Sequence, residues 1–297
     1  ATAAYTHIGV GNFYDDANTS SSATGPGSGG CAHYYIDDIS VIANTTTPTS
    51  DFTVTTPHCE NESATVTYTG TGTSGATYNW NWDGANASPG TGQGPHTLTF
   101  PSSGTYDISL TVTEGGQTST VTTHTITVYP VPTASFSTVS PVCENENSDI
   151  TYTGTGTSSA NYNWSFDGGT VNSGSGQGPY QVSWPTAGTY TVTLTVTENG
   201  CSSTNTETVV VNPIPTSSFN VNTPVCEGDS TAITYTGSAS AGANYSWNFN
   251  GGVVDSGTGQ GPYQVHWNSS GSYNVSLTVT ENGCSSTQTT NPVTVNA

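Results

Sequence analysis

The sequence predicts an all-β protein built from three tandem β-sandwiches, and three observations support this prediction. The phrase GTYTVTLTVTENGC, which begins at Gly188, has near-copies that begin at Gly104 and Gly271. These starting points lie 84 and 83 residues apart, which is the length of a small domain and too long for a solenoid repeat. Apolar and polar residues alternate within the phrase, and no helical period occurs in the chain.

The alternation inside each copy predicts half-buried strands. In the second copy, the inward face would carry Tyr190, Val192, Leu194 and Val196. The outward face would carry the threonines at 191, 193, 195 and 197. Threonine is β-branched and uncharged, so it favours a strand and tolerates water. The pair Asn199-Gly200 that follows predicts a hairpin with a type I′ turn, and about seven such strands in each unit predict a sandwich.

The composition limits the classes of partner. The 297 residues include no lysine or arginine and 20 acidic residues, which give a net charge of -20 although only 7% of residues are charged. Contacts with nucleic-acid phosphates and with anionic lipid depend on Lys and Arg, so neither partner is expected. No apolar run is long enough for direct membrane insertion. Unpaired carboxylates make divalent cations the natural ionic partners.

Three aligned motifs carry a resemblance to a known family. YNWNWDG at Tyr78 recurs as YNWSFDG at Tyr162 and YSWNFNG at Tyr245. With the GTYxVxLTVT strand and the Asn-Gly-Cys turn, these motifs resemble polycystic-kidney-disease (PKD) repeats. More narrowly, they resemble the PKD-like repeats of type IX-secreted Bacteroidota surface adhesins, some of which act in gliding motility or attachment. The usual W-D-F-G-D-G loses its second aspartate in all three copies, and Asn250 stands at the remaining aspartate position in the third.

The resemblance implies tandem immunoglobulin-like (PKD-like) β-sandwiches, with repeats at 47–131, 132–214 and 215–297. Proline-bearing joints separate the repeats. Residues 1–46 differ from them. Two stretches there, HIGVGNFYDDANT and HYYIDDISVIA, resemble the last strands of a jelly-roll module. We interpret this segment as the C-terminal strands of a truncated jelly-roll domain.

Five cysteines are the candidates for disulfides: Cys59, Cys143, Cys201, Cys226 and Cys284. Pairing within each repeat would join Cys143 to Cys201 and Cys226 to Cys284, and would leave Cys59 unpaired or bonded to Cys31. In an immunoglobulin-like sandwich, however, two features lie at opposite ends of the domain: the corner that joins the first two strands, and the hairpin turn that joins the last two. Cysteines at these two places would be too far apart for a disulfide.

Pairing between repeats would join Cys59 to Cys201 and Cys143 to Cys284, and would leave Cys226 for a further repeat. It explains why Gln117 replaces the turn cysteine of the first repeat. Both pairings remain open from the sequence.

Acidic residues cluster beside the cysteines that open the repeats, and they are the candidates for a calcium site: Glu60, Glu62, Glu144, Glu146, Glu227 and Asp229. Glu114, Glu198 or Glu281 from neighbouring turns could complete such a site. The alternative, which we favour, is a solvated acidic rim. Asp37 and Asp38 are a further calcium candidate in the jelly-roll segment. No other cofactor is expected.

The sequence contains no catalytic motif, so we expect no enzyme activity. Trp80, Trp164 and Trp247 could stack on sugars, but their alternating strands favour a core position. We also expect Phe100, Trp184 and Trp267 to be buried.

The leading functional hypothesis is a stalk or fibre segment of an extracellular adhesin on a bacterial cell surface, which extends a distal domain away from the cell. Its partners would be neighbouring repeats, copies of the same chain in a fibre, or surface polysaccharide. One alternative is an accessory carbohydrate-binding region of a secreted hydrolase. A second is self-assembly into filaments.

Overall fold

The computed structural model describes residues 46–56 and 58–297, which form six β-sheets in three sandwiches. The described residues contain no helix, and hence none that could cross a membrane. The all-β prediction is therefore confirmed. The predicted jelly-roll strands lie outside the described residues. The chain divides into two compact units, of which one ends at Val128 and the other covers Tyr129–Ala297, so the second unit holds the second and third sandwiches.

The first sandwich contains β1 (Phe52–Val54), β2 (His58–Cys59), β3 (Ser63–Tyr68), β4 (Thr77–Asn81), β5 (Asn86–Ser88), β6 (His96–Thr99), β7 (Gly104–Glu114), β8 (Gln117–Thr118) and β9 (Thr122–Tyr129). The second contains β10 (Phe136–Thr138), β11 (Val142–Cys143), β12 (Ser148–Tyr152), β13 (Asn161–Ser165), β14 (Thr170–Ser173), β15 (Tyr180–Ser183), β16 (Gly188–Glu198) and β17 (Cys201–Asn212). The third contains β18 (Phe219–Val221), β19 (Val225–Cys226), β20 (Thr231–Tyr235), β21 (Asn244–Asn248), β22 (Val253–Ser256), β23 (Tyr263–His266), β24 (Gly271–Glu281), β25 (Cys284–Ser285) and β26 (Thr289–Asn296).

All three sandwiches share one topology. In the second, one sheet has the order β10-β12-β15-β14 and the other β11-β17-β16-β13. The first edge strand is split between the two sheets, because Pro141 interrupts it and β11 then pairs in parallel with the last strand β17. The last strand is also interrupted in the first and third sandwiches. These breaks explain why each sandwich has eight or nine strands where the alternation predicted about seven.

Each sandwich has its own apolar core. In β16, Val192, Leu194 and Val196 are fully buried, whereas the intervening threonines face outward, as the alternation predicts. The three aromatic residues expected in the interior are buried as well: Phe100, Trp184 and Trp267. The hairpin after β16 turns at Asn199 and Gly200, which both have positive φ, at 50° and 84°. These values fit the predicted type I′ turn.

The aspartate that survives in the tryptophan motif has a structural role. Asp83 and Asp167 adopt the left-handed conformation, with φ of 48° and 50°, and Asn250 does the same at 50°. Aspartate and asparagine tolerate this conformation better than most residues. The Asp83 carboxylate also accepts a hydrogen bond of 2.9 Å from the backbone amide of Asp107, as Asp167 does at 3.0 Å from Thr191. Backbone geometry thus explains why Asp or Asn stands at this position.

His58 is an irregular member of the first core. The equivalent residues in the other sandwiches are Val142 and Val225, as the aligned motifs PHCENES, PVCENEN and PVCEGDS indicate. The His58 side chain is only 7% exposed and stacks on Phe100, and its Nε2 atom has no hydrogen-bond partner among residues 46–56 and 58–297. Burial lowers the pKa of His58, although the Glu62 carboxylate opposes the shift.

We expect the His58→Val variant to be more stable than the wild type by about 1–2 kcal/mol at neutral pH, because the substitution removes a buried unsatisfied nitrogen. The lowered pKa of His58 means that the unfolded chain takes up a proton first as the pH falls below 6.5. The advantage of the variant should therefore grow between pH 7 and pH 5. Urea unfolding of both proteins at several pH values measures this advantage. A difference in their free energies of unfolding that does not change with pH would contradict the assigned role of His58.

Candidate functional site: the joint between the second and third sandwiches

A tight turn, Cys143–Glu146, follows β11 at one end of the second sandwich, and we call this turn the corner. It is closed by a 3.0 Å hydrogen bond from the Glu146 amide to the Cys143 carbonyl. Asn145 lies at the third position with φ of 64°, the geometry of a type II turn, which favours Asn or Gly there. Its amide donates to the Trp184 carbonyl at 2.9 Å, and the Glu144 amide donates to the Asn212 carbonyl at 3.0 Å. The corner is thereby tied to the end of the last strand, β17.

The Glu144 carboxylate connects this corner to the chain that leaves the sandwich. One oxygen accepts a 2.8 Å hydrogen bond from the Ala187 amide, in the loop before β16. The other accepts a 3.2 Å hydrogen bond from the amide of Ile214, which lies in the joint Asn212–Pro215. Backbone amides take the place of the cationic side chains that the sequence lacks. Glu144 therefore holds the joint against the corner.

A disulfide joins the same corner to the third sandwich. Cys143 and Cys284 are bonded, with Cα atoms 5.6 Å apart, and Cys284 directly follows the type I′ turn between β24 and β25. Beside the bond, the Asn212 side chain donates a 3.0 Å hydrogen bond to the Asn282 carbonyl. The two sandwiches of the second unit are thus connected by the joint, by a disulfide and by a side-chain hydrogen bond.

This bond decides between the two cysteine pairings for the second unit. Pairing within repeats is wrong there, because Cys143 bonds to Cys284 and Cys226 is an exposed thiol that bonds to no cysteine in the described part of the chain. The corner and the hairpin turn of one sandwich lie at opposite ends, which prevents their cysteines from meeting. The pairing of Cys59 with Cys201 stays a prediction, and Cys31 lies outside the described residues.

Five of the six acidic residues considered for calcium beside the cysteines accept hydrogen bonds from backbone amides. Glu62 and Glu146 bond back to the amides of Cys59 and Cys143, at 3.3 and 3.1 Å. Glu60 and Glu227 accept bonds from the amides of Ser103 and Ser270, at 3.2 and 3.0 Å. The Asp229 amide closes its own turn by bonding to the Cys226 carbonyl at 3.1 Å. Over residues 46–56 and 58–297, no three His, Cys, Asp or Glu side chains are grouped to hold a metal, while Asp37 and Asp38 lie outside this range.

The turn glutamates serve a different loop from the one expected. Glu198 accepts hydrogen bonds from the amide and the hydroxyl of Thr157, in the loop between β12 and β13 of its own sandwich. Glu114 and Glu281 bond in the same way to Thr73 and Ser240. These three residues therefore do not complete a site at the joints. They brace a loop at the end of each sandwich opposite the corner.

A serine, an aspartate and a histidine meet in the third sandwich. The Asp255 carboxylate accepts hydrogen bonds from the Ser230 hydroxyl at 2.5 Å and from His266 Nδ1 at 2.8 Å. These bonds, the one from Ser230 foremost, lower the pKa of Asp255. In a catalytic triad the imidazole lies between the hydroxyl and the carboxylate, whereas here the carboxylate lies between the other two groups. The order does not activate the serine.

The tryptophans of the aromatic strands are half-buried and packed against the cores. Trp80, Trp164 and Trp247 each donate an indole hydrogen bond to a glycine carbonyl, at 2.9 to 3.0 Å. Each also packs edge-on against a core phenylalanine, as Trp164 does against Phe136 at 5.1 Å. These contacts orient the rings as part of the fold, although the rings are partly buried against the cores and do not lie within them as expected.

The bonds that hold the joint were not predicted from the sequence. Glu144 was a candidate calcium ligand, but its partners are backbone amides, which have no sequence signature. The signal that could have found the pair Asn212 and Asn282 is their recurrence, since Asn precedes Gly-Cys in the second and third turns and Asn212 precedes a proline joint.

Replacing both Cys143 and Cys284 by serine should lower the free energy of unfolding of the second unit by about 2–5 kcal/mol. The bond closes a loop with a sequence separation of 141 residues, and long loops gain most from a cross-link in the unfolded state. Guanidinium unfolding followed by tryptophan fluorescence measures the loss. The C226S variant is the matched control and should match the wild type, and equal stability of all three proteins would contradict the prediction.

Glu144→Ala should destabilise the second unit by about 1 kcal/mol more than Glu227→Ala. Each glutamate accepts a hydrogen bond from an amide in the loop before β16 or β24, but only Glu144 also accepts one from an amide of the joint. The difference between the two variants therefore isolates the bond to Ile214. Denaturant unfolding measures both variants, and equal losses would mean that the joint gains nothing from Glu144.

Comparisons with known proteins agree with a sandwich of this type. The PKD domain model matches residues 129–213, the region of the second predicted repeat. No curated protein shows significant similarity to the chain.

Several solved structures align with most of the chain at low identity. The I-band fragment I67-I69 from titin is 12% identical, with a TM-score of 0.49, over 85% of this chain and 100% of that one. Extracellular domains 3-5 of Drosophila OTK are 13% identical, with a TM-score of 0.35, over 80% and 92%. Drosophila N-cadherin EC1-4 is 15% identical, with a TM-score of 0.33, over 86% and 76%. What the comparisons establish is that residues 129–213 are similar to a PKD domain.

Proposed function

We propose that the chain is a tension-bearing stalk segment of a secreted adhesin, which holds a distal domain away from a bacterial cell surface. Tandem PKD-like sandwiches with disulfides are typical of extracellular structural or adhesion modules. The attachment to a bacterial surface, and export by a type IX system, rest on the resemblance of the sequence to Bacteroidota repeats.

The observation that carries the proposal is the position of the Cys143–Cys284 bond in the path of a pulling force. Tension between Tyr129 and Ala297 would reach Cys143, cross the sulfur–sulfur bond and leave from Cys284. The residues between the two cysteines then lie outside the covalent load path. If these residues were unfolded and fully extended, their sequence separation of 141 residues would lengthen the stalk by about 500 Å. The bond therefore limits the length of the stalk even if both sandwiches unfold.

The outward faces of the sandwiches also suit an exposed position. Threonines of β16 and β17 lie opposite one another, and Thr195 and Thr204 share a 2.9 Å hydrogen bond across the strands. Such a face is wettable without lysine or arginine, so it offers no site to trypsin-like proteases. Disulfides persist in oxidising compartments, which supports a location outside the cell.

Single-molecule pulling tests this function on the full chain, with handles at Tyr129 and Ala297. The wild-type protein should show no extension from the residues between Cys143 and Cys284, because the bond removes them from the load path. The variant with both cysteines replaced by serine should gain about 500 Å on complete unfolding. A C226S control should behave like the wild type, and an equal extension of all three proteins would overturn the proposal.

A further inference from the structure

The third sandwich repeats the corner of the second, but there the corner is open. We call its residues Val225, Cys226, Glu227 and Asn296 the open corner. They correspond to Val142, Cys143, Glu144 and Asn212 in the aligned repeats. We infer that the open corner is a docking surface for a further sandwich of the same kind, which would bond to Cys226 through a cysteine after an Asn-Gly turn.

The internal geometry of the two corners is the same. The Glu227 amide bonds to the Asn296 carbonyl at 2.8 Å, as the Glu144 amide bonds to Asn212 at 3.0 Å. The Gly228 amide bonds to the Trp267 carbonyl at 2.9 Å, the same length as the equivalent bond from Asn145. Gly228 has a positive φ of 79°, as the turn requires. The open corner is therefore formed without a partner and needs no rearrangement to accept one.

Burial separates the two corners. Val142 and Cys143 are each only 7% exposed, and Cys143 is bonded to Cys284 of the third sandwich. Val225 is partly exposed and Cys226 is exposed. A small apolar surface and a thiol that are covered in one corner thus face solvent in the other.

Hydrogen-bond capacity separates them as well. Both Glu144 oxygens accept an amide, whereas Glu227 accepts the Ser270 amide and its second oxygen has no donor in the described part of the chain. The Asn212 side chain donates to the turn of the next sandwich, and the exposed Asn296 side chain has no such bond there. Three separate groups, a thiol, a carboxylate oxygen and a side-chain amide, lack the partners that their counterparts have.

These missing partners define the occupant. It must offer three groups: a turn carbonyl that accepts from the Asn296 side chain, a thiol directly after that turn that bonds to Cys226, and a joint amide that donates to Glu227. A sandwich that carries the turn Glu-Asn-Gly-Cys and is attached by a joint like Asn212–Pro215 supplies all three. A sandwich like the first one does not, because Gln117 replaces the cysteine.

The bond requires an oxidant, for which a small-molecule disulfide suffices. The Cys226 thiolate attacks one sulfur of that disulfide and releases the first small thiol. The incoming cysteine thiolate then attacks the Cys226 sulfur and releases the second. Two protein thiols are thereby oxidised to one disulfide, and one small disulfide is reduced to two thiols.

The test appends a second copy of residues 213–297 directly after Asn296 of the full chain, and refolds the protein in oxidised and reduced glutathione. We expect Cys226 to bond to the cysteine of the new turn, and its labelling by iodoacetamide to be lost. Digestion with a glutamate-specific protease and mass spectrometry without reduction would identify the bond, since trypsin has no site. The Cys143–Cys284 bond in the same molecule reports whether the conditions and the fold are correct.

The matched control carries C284Q in the appended copy, which imitates the first sandwich. In this protein Cys226 should remain labelled while Cys143–Cys284 forms. Persistent labelling of Cys226 in the unmodified fusion would overturn the inference, and so would a dimer of the original chain bonded through two Cys226 residues. The inference builds on the proposed stalk, yet the mapping of disulfides and the pulling experiment can fail independently of each other.

Discussion

The structure depends on a carboxylate that accepts hydrogen bonds from backbone amides. With 20 acidic residues and no lysine or arginine, no carboxylate can find a cationic side chain other than histidine. Charge-assisted bonds from amides are the strong alternative, and they require the backbone to be held in a fixed geometry. The corner glutamates Glu60, Glu144 and Glu227 meet this requirement, because a turn with a positive φ at its third position places each of them beside a neighbouring loop. The same turn that satisfies the charge positions the cysteine before it.

That coupling explains why the joint of the second unit is well connected. The turn fixes Cys143 at the end of the sandwich, where the hairpin turn of the third sandwich brings Cys284 within bonding distance. Glu144 holds the joint at Ile214 through the same turn. The disulfide limits how far the two sandwiches of the second unit can separate. Its main effect is on extended or unfolded chains, which is where a tension-bearing function would use it.

The elements that could be predicted from the sequence are those in which a side chain alone decides the outcome. Alternation placed Val192, Leu194 and Val196 in the core, Asn199-Gly200 gave the hairpin, and size kept Trp184 inside. The opposite ends of the sandwich made pairing between repeats the geometrically possible alternative. The partners of the corner glutamates Glu60, Glu144 and Glu227 could not be predicted, because they are backbone amides far away in sequence. The split of the first strand was also missed, since a proline between two short strands fits a simple loop equally well.

The lack of lysine also bears on the exposed edges of the sheets. Lysine is a common means of preventing edge strands from pairing with other chains, and this protein must use others. The edge strands β14 and β22 expose Val171, Val253 and Val254, which would favour such pairing. Each of these strands has only four residues, and the register shifts after Val171 and Val254. Such bulges twist an edge away from the flat geometry that a new strand needs. The second and third sandwiches associate instead through the corner of one and the hairpin turn of the next, which is consistent with growth from one sandwich to the next through the joint.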